Sequence, residues 1–295
     1  MDEKNKNLED DIKKAYPKKK TVSADPSASR QIPTLSMTDG VLIPNKKNKH
    51  IITSWRITFF GAIIILACLC LFVTKTNSKG VTTHPYWEIF KFTIKGAPTT
   101  FQVTIFAIIG AVIIGTATGL GSVSKNKFVN GLCGIYVELI RGIPLLVQLM
   151  FLYFALGSII HLEGIVAAII AFSICFGAYM GEIIRAGIQS IPKGQIEAAK
   201  ALGLTKSQVF WFVTLPQTIK VVLPAIGNEF ISMLKDSSLV SVLALSDILK
   251  RGREYISRTF MSLETMLIVA LIYLIFTLVL SKLVGMMEER LHKNG

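Results

Sequence analysis

The sequence predicts an all-α, polytopic helical bundle in a membrane, and three observations support this prediction. Of the 295 residues, 51% are apolar and only 17% are charged, whereas charged residues make up about a quarter of an ordinary soluble domain. Six largely apolar stretches each approach the roughly 20 residues that a helix needs to cross a bilayer core of about 30 Å. The net charge of +13 is concentrated between these stretches, which is typical of loops around membrane spans and not of a nucleic-acid-binding face.

The six predicted spans differ in charge content. Three are almost purely apolar and cover residues 57–74, 101–123 and 265–286. The other three contain ionisable side chains and cover residues 139–160, 165–184 and 221–245. Charges at membrane depth are costly in lipid and usually face a bundle interior or a water-filled path. We therefore expect the second group of spans to line the functional centre.

Basic residues beside the spans indicate the orientation of the chain. More Lys and Arg residues flank the spans on the side of the N-terminus than on the opposite side. Because retained positive charge marks the cytoplasmic side, we place the N-terminus in the cytoplasm. An even number of spans then brings the C-terminus to the cytoplasmic side as well.

The predicted spans divide the chain into segments. Residues 1–56 are rich in charged residues and predict a disordered cytoplasmic tail, either simply solvated or tethered to lipid through its lysines. Residues 57–84 predict an additional N-terminal membrane helix and the start of an external loop. Residues 85–290 form the main transmembrane domain, which contains a cytoplasmic loop at 190–217, and residues 291–295 form a short cytoplasmic tail.

Glycines recur in the second predicted span. They are Gly110, Gly115, Gly119 and Gly121. Small residues let membrane helices approach closely, so we expect these positions to contact a neighbouring helix. A role in a transport path is the alternative reading.

The cytoplasmic loop at 190–217 is too polar to cross lipid but has helical character. Residues 193–202 are mostly good helix formers, and Pro192 suits the start of a helix. Gly203 follows as a helix stop, because glycine readily adopts the left-handed conformation that ends helices. The loop therefore begins with a short helix.

A second short helix is predicted after Gly203. Thr205 and Gln208 have the spacing of a capping box, so this helix should start at Lys206. It should end near Thr214, because Pro216 disfavours helix in the residue before it. The residue types leave two readings open: an amphipathic hairpin on lipid headgroups, or an element that docks a partner protein.

Fixed spacing within this loop distinguishes the two readings. Glu197-Ala198-Ala199, Gly203 and Leu215-Pro216 resemble the EAA-x3-G-x11-LP signature of permease subunits in bacterial ATP-binding-cassette importers. Further segments resemble the polar amino acid uptake permeases, the histidine, glutamine, glutamate, arginine and opine group: ELIRGIPLLVQ at 138–148, EIIRAGI at 182–188, IPKGQ at 191–195, and NEF and KDSSL within 228–239. The resemblance covers about residues 87–290, and Ile143 and Ser237 stand where that family often has Thr.

The resemblance implies a function and a set of partners. The chain would form the wall of a translocation pathway that works by alternating access, in a cell membrane of a bacterium. Its partners would be a cytoplasmic ABC ATPase dimer, a second permease subunit that is identical or homologous, an extracytoplasmic amino-acid-binding protein, membrane lipid and a polar amino acid. The loop residues that would couple the chain to the ATPase are Glu197, Ala198, Ala199, Gly203, Leu215 and Pro216.

Candidates for the substrate path are ionisable or hydroxyl residues in the three charged spans. They are Glu138, Arg141, Glu182, Arg185, Glu229, Lys235, Asp236 and Ser237. An amino acid loses water at both its ammonium and its carboxylate on entry, so groups of opposite charge must replace that hydration. Glu138 with Arg141, and Glu182 with Arg185, each lie three residues apart and could pair. The alternatives are structural ion pairs near the cytoplasmic interface and, for Lys235 and Asp236, packing against a partner subunit.

Catalysis and a resident cofactor have little support in the sequence. The cysteines and histidines are scattered without CxxC or HExxH spacing, and the chain lacks the GxxxxGK[ST] phosphate loop. We therefore predict no catalytic residues, no metal ligands and no cofactor in this chain, with ATP and Mg²⁺ bound by the partner ATPase. An ion-coupled secondary transporter of small polar solutes is the main alternative, followed by a membrane enzyme or a sensor.

Overall fold

The computed structural model describes residues 35–38, 41–44, 49–76 and 82–293 of the chain. Most of the prediction of a disordered tail at 1–56 therefore lies outside the described residues. The chain divides into two compact units, Met1–Ile51 and Ile52–Gly295. In the first unit, β1 (Leu35–Thr38) and β2 (Val41–Pro44) form an antiparallel pair.

Helices dominate the described chain. After β2 come α1 (Lys49–Phe72), the short antiparallel strands β3 (Lys75–Thr76) and β4 (Thr82–Thr83), α2 (Pro85–Thr93), a 3₁₀ turn, α3 (Ala97–Ser122) and α4 (Lys127–Gly142). Then follow α5 (Leu145–Met150), a π-helical segment (Phe151–Leu156), α6 (Gly157–Ile160) and α7 (Gly164–Gln189). The last part contains α8 (Lys193–Ala201), α9 (Lys206–Val209), a π-helical segment (Phe210–Thr214), α10 (Leu215–Asp236), a 3₁₀ helix (Ser237–Leu243), α11 (Ile248–Thr259) and α12 (Ser262–Lys293). The all-α fold class predicted from the sequence is confirmed.

Five of the described helical stretches are long and apolar enough to cross a membrane, and a bent helix pair brings the number to six if it counts as one span. The five are Trp55–Phe72, Pro85–Ser122, Gly164–Gln189, Lys206–Leu243 and Ser262–Leu291. The bent pair is Lys127–Gly142 with Leu145–Leu156. Each predicted span therefore has a counterpart, but three differ most from the prediction: the second and the fifth are much longer, and the third is bent.

The third predicted span, 139–160, is not a continuous helix. The chain bends by 99° between α4 and α5, because Pro144 has no N–H to continue the helical ladder. The side chain of Gln148 compensates for the break by donating hydrogen bonds to the carbonyl oxygens of Ile140 and Ile143, at 2.7 and 2.8 Å. The bend thus satisfies its own freed backbone groups, as an interruption at membrane depth must.

The second loop helix does not end near Thr214, so that prediction was wrong. From Lys206 the chain stays helical through the π-helical segment Phe210–Thr214 into α10. Pro216 lies within the first two positions of α10, where the missing N–H is tolerated because the wider turn before it has already shifted the hydrogen-bonding pattern. The fifth span is therefore continuous with the loop, from Lys206 to Leu243.

Helices α3 and α7 pack tightly against each other along much of their length. A Cβ atom added to Gly115 would lie 2.3 Å from the Cβ of Met180, and one added to Gly119 would lie 2.7 Å from a methyl carbon of Ile184. From the side of α7, a Cβ added to Gly181 would lie 2.3 Å from the hydroxyl oxygen of Thr118 in α3. The expected close packing of span two is confirmed: its partner is α7 at Gly110, Gly115 and Gly119, whereas Gly121 faces Cys133 of α4. Both helices therefore approach each other through positions that only glycine can occupy.

The additional N-terminal helix contacts the last span. The indole nitrogen of Trp55 in α1 donates a hydrogen bond to the carbonyl oxygen of Leu278, at 2.8 Å, and the ammonium of Lys282 lies 5.6 Å from the centre of the Trp55 ring. Cys70 near the other end of α1 is buried in an apolar cluster with Ile268 of α12. Helix α1 is thus attached to α12 near both of its ends.

We expect the substitution Gly115→Val to destabilise the protein by about 1–3 kcal/mol, which is the usual cost of overpacking. The new side chain would push α3 away from Met180. Gly131→Ala is the control, because a Cβ at Gly131 meets nothing within 4 Å, and it should leave stability unchanged or slightly raised. Thermal unfolding in detergent followed by size-exclusion chromatography measures both. Equal unfolding temperatures for the Gly115 variant and wild type would contradict the packing described above.

Candidate functional site

A polar cavity of about 740 Å³ lies between α4, α7 and the end of α3. It brings together four of the residues predicted for the substrate path: Glu138, Arg141, Glu182 and Arg185. The rest of its lining includes Ser122, Asn130, Tyr179 and Gln189. Helix α7 supplies Tyr179, Glu182 and Gln189 at helical spacing, so one face of this helix forms a wall of the cavity.

Glu182 and Arg185 form an ion pair on this wall, as their spacing predicts. The Nε of Arg185 donates to Glu182 Oε2 at 3.2 Å and an outer guanidinium nitrogen donates to Oε1 at 2.5 Å. The same guanidinium also donates to Gln189 Oε1 at 3.0 Å. Both charged side chains are about one-third exposed. The pair is therefore held in a fixed orientation at the edge of the cavity, where water still reaches it.

Arg141 does not pair with Glu138. The guanidinium carbon of Arg141 lies 5.1 Å from the centre of the Tyr179 ring instead, a cation–π arrangement. Among the residues that the structure describes, the Glu182–Arg185 contact is the single ion pair. Spacing within α4 predicted a Glu138–Arg141 pair, but Tyr179 on the neighbouring helix provides Arg141 with its contact. The guanidinium thus remains available to another carboxylate.

Glu229 and Asp236 of α10 lie outside this cavity but close enough to interact with it. Glu229 interacts electrostatically with Asp236 and with Arg141, and Arg141 also interacts with Glu182. Arg141 therefore has a carboxylate of α7 and a carboxylate of α10 within electrostatic range. Opposite charges at membrane depth are what the two ends of a zwitterion require.

The end of α10 presents charge on the surface of a single chain. Lys235 and Asp236 are exposed, whereas the next residue, Ser237, is fully buried. The hydroxyl of Ser237 donates to the carbonyl oxygen of Leu234 at 2.6 Å, so it closes the helix end. The structure thus separates Ser237, which satisfies the backbone, from Lys235 and Asp236, which face outward within the candidate span Lys206–Leu243.

Two residues of the site were not singled out from the sequence. Tyr179 lies three positions before Glu182 and so shares its helical face, and this spacing could have predicted that Tyr179 belongs to the site. Gln148 follows Pro144 by one helical turn, where a side chain can reach carbonyls freed by the break. Both contacts cross between helices or across the bend, and linear spacing gives no distance between separate helices.

The loop at 190–217 has the two-helix shape predicted for its first part. Gly203 has φ +85°, the left-handed region that favours glycine, and its N–H donates to the carbonyl oxygen of Lys200 at 2.9 Å. Thr205 and Gln208 form the predicted capping box at the start of α9. The two helices are therefore joined by a short, hydrogen-bonded turn.

The predicted coupling residues divide into exposed and packed positions. Exposed are Glu197, Ala198, Gly203 and Pro216, while Ala199 is buried and Leu215 is half-buried. Large apolar side chains beside them are also exposed, namely Leu202, Trp211 and Phe212. Exposed apolar side chains on the same loop as an exposed carboxylate are typical of a protein-binding surface. The structure contains no partner chain, so the coupling role itself stays a prediction.

Both ends of this loop are braced against the bundle. Before α8, Ile191 is buried, and the hydroxyl of Ser190 donates to the carbonyl oxygen of Gly187 at 2.8 Å. A Cβ at Gly187 would lie 2.3 Å from a methyl carbon of Val222 in α10. The helices that enter and leave the loop, α7 and α10, therefore meet directly at its base.

A buried carboxylate fixes the start of α11. Asp247 is fully buried and accepts hydrogen bonds from the N–H groups of Leu249 and Lys250, at 3.1 and 2.9 Å, as the cap of α11. The hydroxyl of Tyr273 in α12 donates to the same carboxylate at 3.5 Å. A Cβ at Gly96 would lie 2.3 Å from the backbone carbon of Asp247. Burial raises the pKa of Asp247 to about 6, although the two backbone hydrogen bonds act in the opposite direction.

Metal binding has no support within the described stretches, because no group of three or more His, Cys, Asp or Glu residues there could hold an ion. The functional geometry is instead a charged cavity at one end of α7 and an exposed two-helix loop that follows that helix. Such an arrangement suits the recognition of a charged solute and the attachment of a partner protein.

The sequence of the chain is similar to sequences of known proteins. Residues 96–293 match the family described as binding-protein-dependent transport system inner membrane component. The chain is 35% identical over 208 residues to the glutamine transport system permease protein GlnP of Escherichia coli (strain K12), which covers 70% of this chain and 95% of that protein. It is 37% identical over 209 residues to the probable glutamine ABC transporter permease protein GlnM of Bacillus subtilis (strain 168), covering 70% and 97%.

Solved structures also resemble the chain. One, described as an amino acid ABC transporter with histidines, has a TM-score of 0.65 and 39% identity, over 70% of this chain and 95% of that chain. An inward-facing MetNI methionine ABC transporter has a TM-score of 0.60 at 18% identity, over 71% and 99%. The second likeness shows the fold alone.

We expect the stability of the wild-type protein to fall as the pH rises through about 6, the pKa of Asp247. Because folding raises this pKa from its ordinary value near 3.8, the folded state favours the neutral carboxyl, and the stabilisation present below pH 3.8 is lost above pH 6. A pKa difference of about two units corresponds to about 3 kcal/mol. Asp247→Asn keeps a capping side chain but cannot ionise, so it should reduce this pH dependence.

Thermal unfolding in detergent at about pH 4.5 and about pH 7.5 measures the effect. Glu254→Gln in the same helix removes an acidic group without touching the cap and should unfold with the wild-type dependence. If Asp247→Asn and wild type lose the same stability between the two pH values, the buried carboxylate does not control that loss.

Proposed function

The chain belongs to the family of binding-protein-dependent transport system inner membrane components, and from that premise we propose that it is the permease subunit of an importer for polar amino acids, driven by a separate ATP-binding-cassette ATPase. Its relatives are named for glutamine transport, and a solved neighbour for amino acid transport. An ion-coupled secondary transporter is not favoured by these relatives.

The observation on which this proposal chiefly rests is the exposed two-helix loop with the EAA spacing. Glu197 and Ala198 are exposed on α8, and the Gly203 turn holds α8 and α9 together. Because α9 continues without a break into α10, a displacement of the loop moves the span as a rigid body instead of being absorbed by a flexible segment. A cytoplasmic ATPase dimer is the partner that would displace it.

Each residue of the signature has a physical task in this proposal. Glu197 would pair with a basic side chain in a groove of the ATPase. Ala198, being small and exposed, would let the ATPase approach the α8 backbone, while Ala199 is buried within the chain itself. Gly203 sets the angle between the two helices, and Leu215 with Pro216 begins α10. ATP and Mg²⁺ would be bound by the partner and not by this chain.

The substrate path would run past Arg141. Its guanidinium forms no ion pair with a carboxylate of the described chain, so it can bind the carboxylate of an amino acid. Glu229 and Asp236, which interact electrostatically with each other, can meet the ammonium. Glu138 and the Glu182–Arg185 pair line the cavity at the cytoplasmic end of this route.

A second permease subunit would cover the charged end of α10. Lys235 and Asp236 are exposed in the single chain although they lie in a candidate span. Charges at this depth are not tolerated against lipid and face protein or water. An identical or homologous subunit placed on this face would enclose the water-filled path between the two chains.

The proposed setting is the bacterial plasma membrane, with both termini in the cytoplasm. This orientation places the EAA loop beside the ATPase and places α11 on the outer side, where an extracytoplasmic amino-acid-binding protein would deliver the substrate. The excess of basic residues on the side of the N-terminus supports it.

We expect Glu197→Lys and Gly203→Val to abolish most ATP-dependent amino acid uptake while the protein still reaches the membrane. The first substitution reverses the charge offered to the ATPase, and the second strains a backbone with φ +85° that a β-branched residue does not adopt. Uptake of radiolabelled glutamine and ATP hydrolysis are measured together in vesicles. Gly194→Ala, in the same loop with nothing within 4 Å of the new Cβ, is the control. Wild-type uptake in both loop variants would refute the coupling role.

We expect Asp236→Asn to raise the apparent KM for amino acid uptake by about tenfold, the usual effect of losing one charge-assisted hydrogen bond. Glu264→Gln removes a carboxylate at the start of α12, away from the path, and should leave KM unchanged. Initial uptake rates over a range of glutamine concentrations give both values. Unchanged KM and maximal rate for Asp236→Asn would assign this residue to subunit packing.

A further inference from the structure

A basic surface lies on the side of the bundle opposite the EAA loop. Helix α11 packs there between α2 and α12, and a Cβ at Gly252 would lie 2.8 Å from a methyl carbon of Val269 in α12. Ile248 is fully buried beside it. Helix α11 is therefore fixed flat against the bundle, and its remaining faces are directed towards α2 and outward.

Two arginines of α11 meet on one aromatic ring of α2. The guanidinium carbons of Arg251 and Arg258 lie 5.5 and 5.6 Å from the centre of the Phe92 ring. The two arginines are seven residues apart, which is about two helical turns, so they lie on the same face of α11. We call Arg251, Phe92 and Arg258 the arginine clamp.

The clamp has no anionic partner within the described chain. The single ion pair described is Glu182–Arg185, in another part of the bundle. The Nε of Arg251 is buried and has no hydrogen-bond partner. The adjoining surface adds further positive charge, since the Lys91 ammonium lies 5.0 Å from the centre of the Trp87 ring on α2. Glu254 and Glu88 are the nearest carboxylates along α11 and α2, but neither forms an ion pair with Arg251 or Arg258 among the described residues. Two guanidinium groups on one ring without an ion-paired carboxylate form a site for an external anion.

Exposed apolar side chains place the clamp at the depth of lipid headgroups. Phe260, two residues after Arg258, is 88% exposed, and Leu263 is 80% exposed. Trp87, at the start of α2, is also exposed. These residues stand where the chain turns from α11 into α12 and where it enters α2. Aromatic and apolar side chains beside basic ones at the ends of spans are typical of a membrane interface.

We propose that the arginine clamp binds the phosphodiester of an anionic phospholipid in the leaflet opposite the EAA loop. The planar guanidinium groups match phosphate oxygens in geometry and charge, while the exposed Phe260 and Leu263 contact the acyl region below the headgroup. A docked protein is the less suitable occupant, because Phe260 and Leu263 lie where α11 turns into the candidate span Ser262–Leu291, and apolar side chains at the end of a span face the membrane interface. The site is independent of the proposed transport function.

Lipid binding to the purified protein in detergent tests this directly. Native mass spectrometry counts the phosphatidylglycerol and phosphatidylcholine molecules that remain bound when both are supplied equally. We expect wild type to retain phosphatidylglycerol preferentially, and Arg251→Gln/Arg258→Gln to lower that retention by about tenfold, as expected for lost charge-assisted contacts. Lys95→Gln/Arg253→Gln removes the same charge from the 3₁₀ turn after α2 and from α11, outside the clamp, and should change retention by less than about twofold.

Several results would overturn the lipid site. Equal losses in the two double variants would show general attraction to positive charge instead of a clamp. Displacement of the lipid by inorganic phosphate would identify a free anion as the ligand. Unchanged lipid retention together with weaker attachment of the extracytoplasmic binding protein would assign the surface to that protein. If the double clamp variant does not fold, the single variant Arg258→Gln provides the test. Arg258 is exposed, so its replacement leaves the packing intact and should still lower phosphatidylglycerol retention.

Discussion

The close approach of α3 and α7 is the constraint on which the rest of the molecule depends. At Gly115, Gly119 and Gly181 the facing atoms leave no room for even a Cβ, so the two helices cannot slide or separate without losing contacts along their length. Helix α7 carries Tyr179 and Glu182 into the polar cavity. The same helix ends at the loop with the EAA spacing. Cavity and loop are therefore parts of one stiff body.

The stiff body formed by α3 and α7 determines where the charged groups of the candidate spans lie. The Glu182–Arg185 pair is satisfied within α7 and can be carried through a motion unchanged. Arg141 is different, because it rests on the Tyr179 ring and interacts with carboxylates on both α7 and α10. A relative shift of α10 against α7 would alter the balance around Arg141. Gly187 and Val222, in contact at the base of the loop, are the natural pivot for such a shift.

Local signals in the sequence predicted local structure well. The capping box at Thr205 and the left-handed turn at Gly203 follow from side chains within four residues of each other, and both are present. The family resemblance and the number of spans followed from spacing and hydropathy. The prediction failed where a remote group or a change in helix type decides the outcome. Pro216 did not end a helix because the preceding turn is π-helical, and Glu138 did not pair with Arg141 because Tyr179 comes from another helix.

A disulfide between α3 and α7 tests most directly whether these helices move as one body. Thr118→Cys removes the hydroxyl that lies 2.3 Å from a Cβ at Gly181, which is the contact that excludes a side chain there, and that Cβ would then be 3.2 Å from the Cβ at position 118. A shift of about 0.3–0.6 Å brings the two Cβ atoms to the separation that a disulfide needs. The pair Thr118→Cys/Gly181→Cys would be introduced after replacing Cys68, Cys70, Cys133 and Cys175, and ATP-driven glutamine uptake would be compared before and after oxidation. We expect equal uptake in the oxidised and reduced states. Uptake that is lost on oxidation and restored on reduction would show that α3 and α7 must separate during transport.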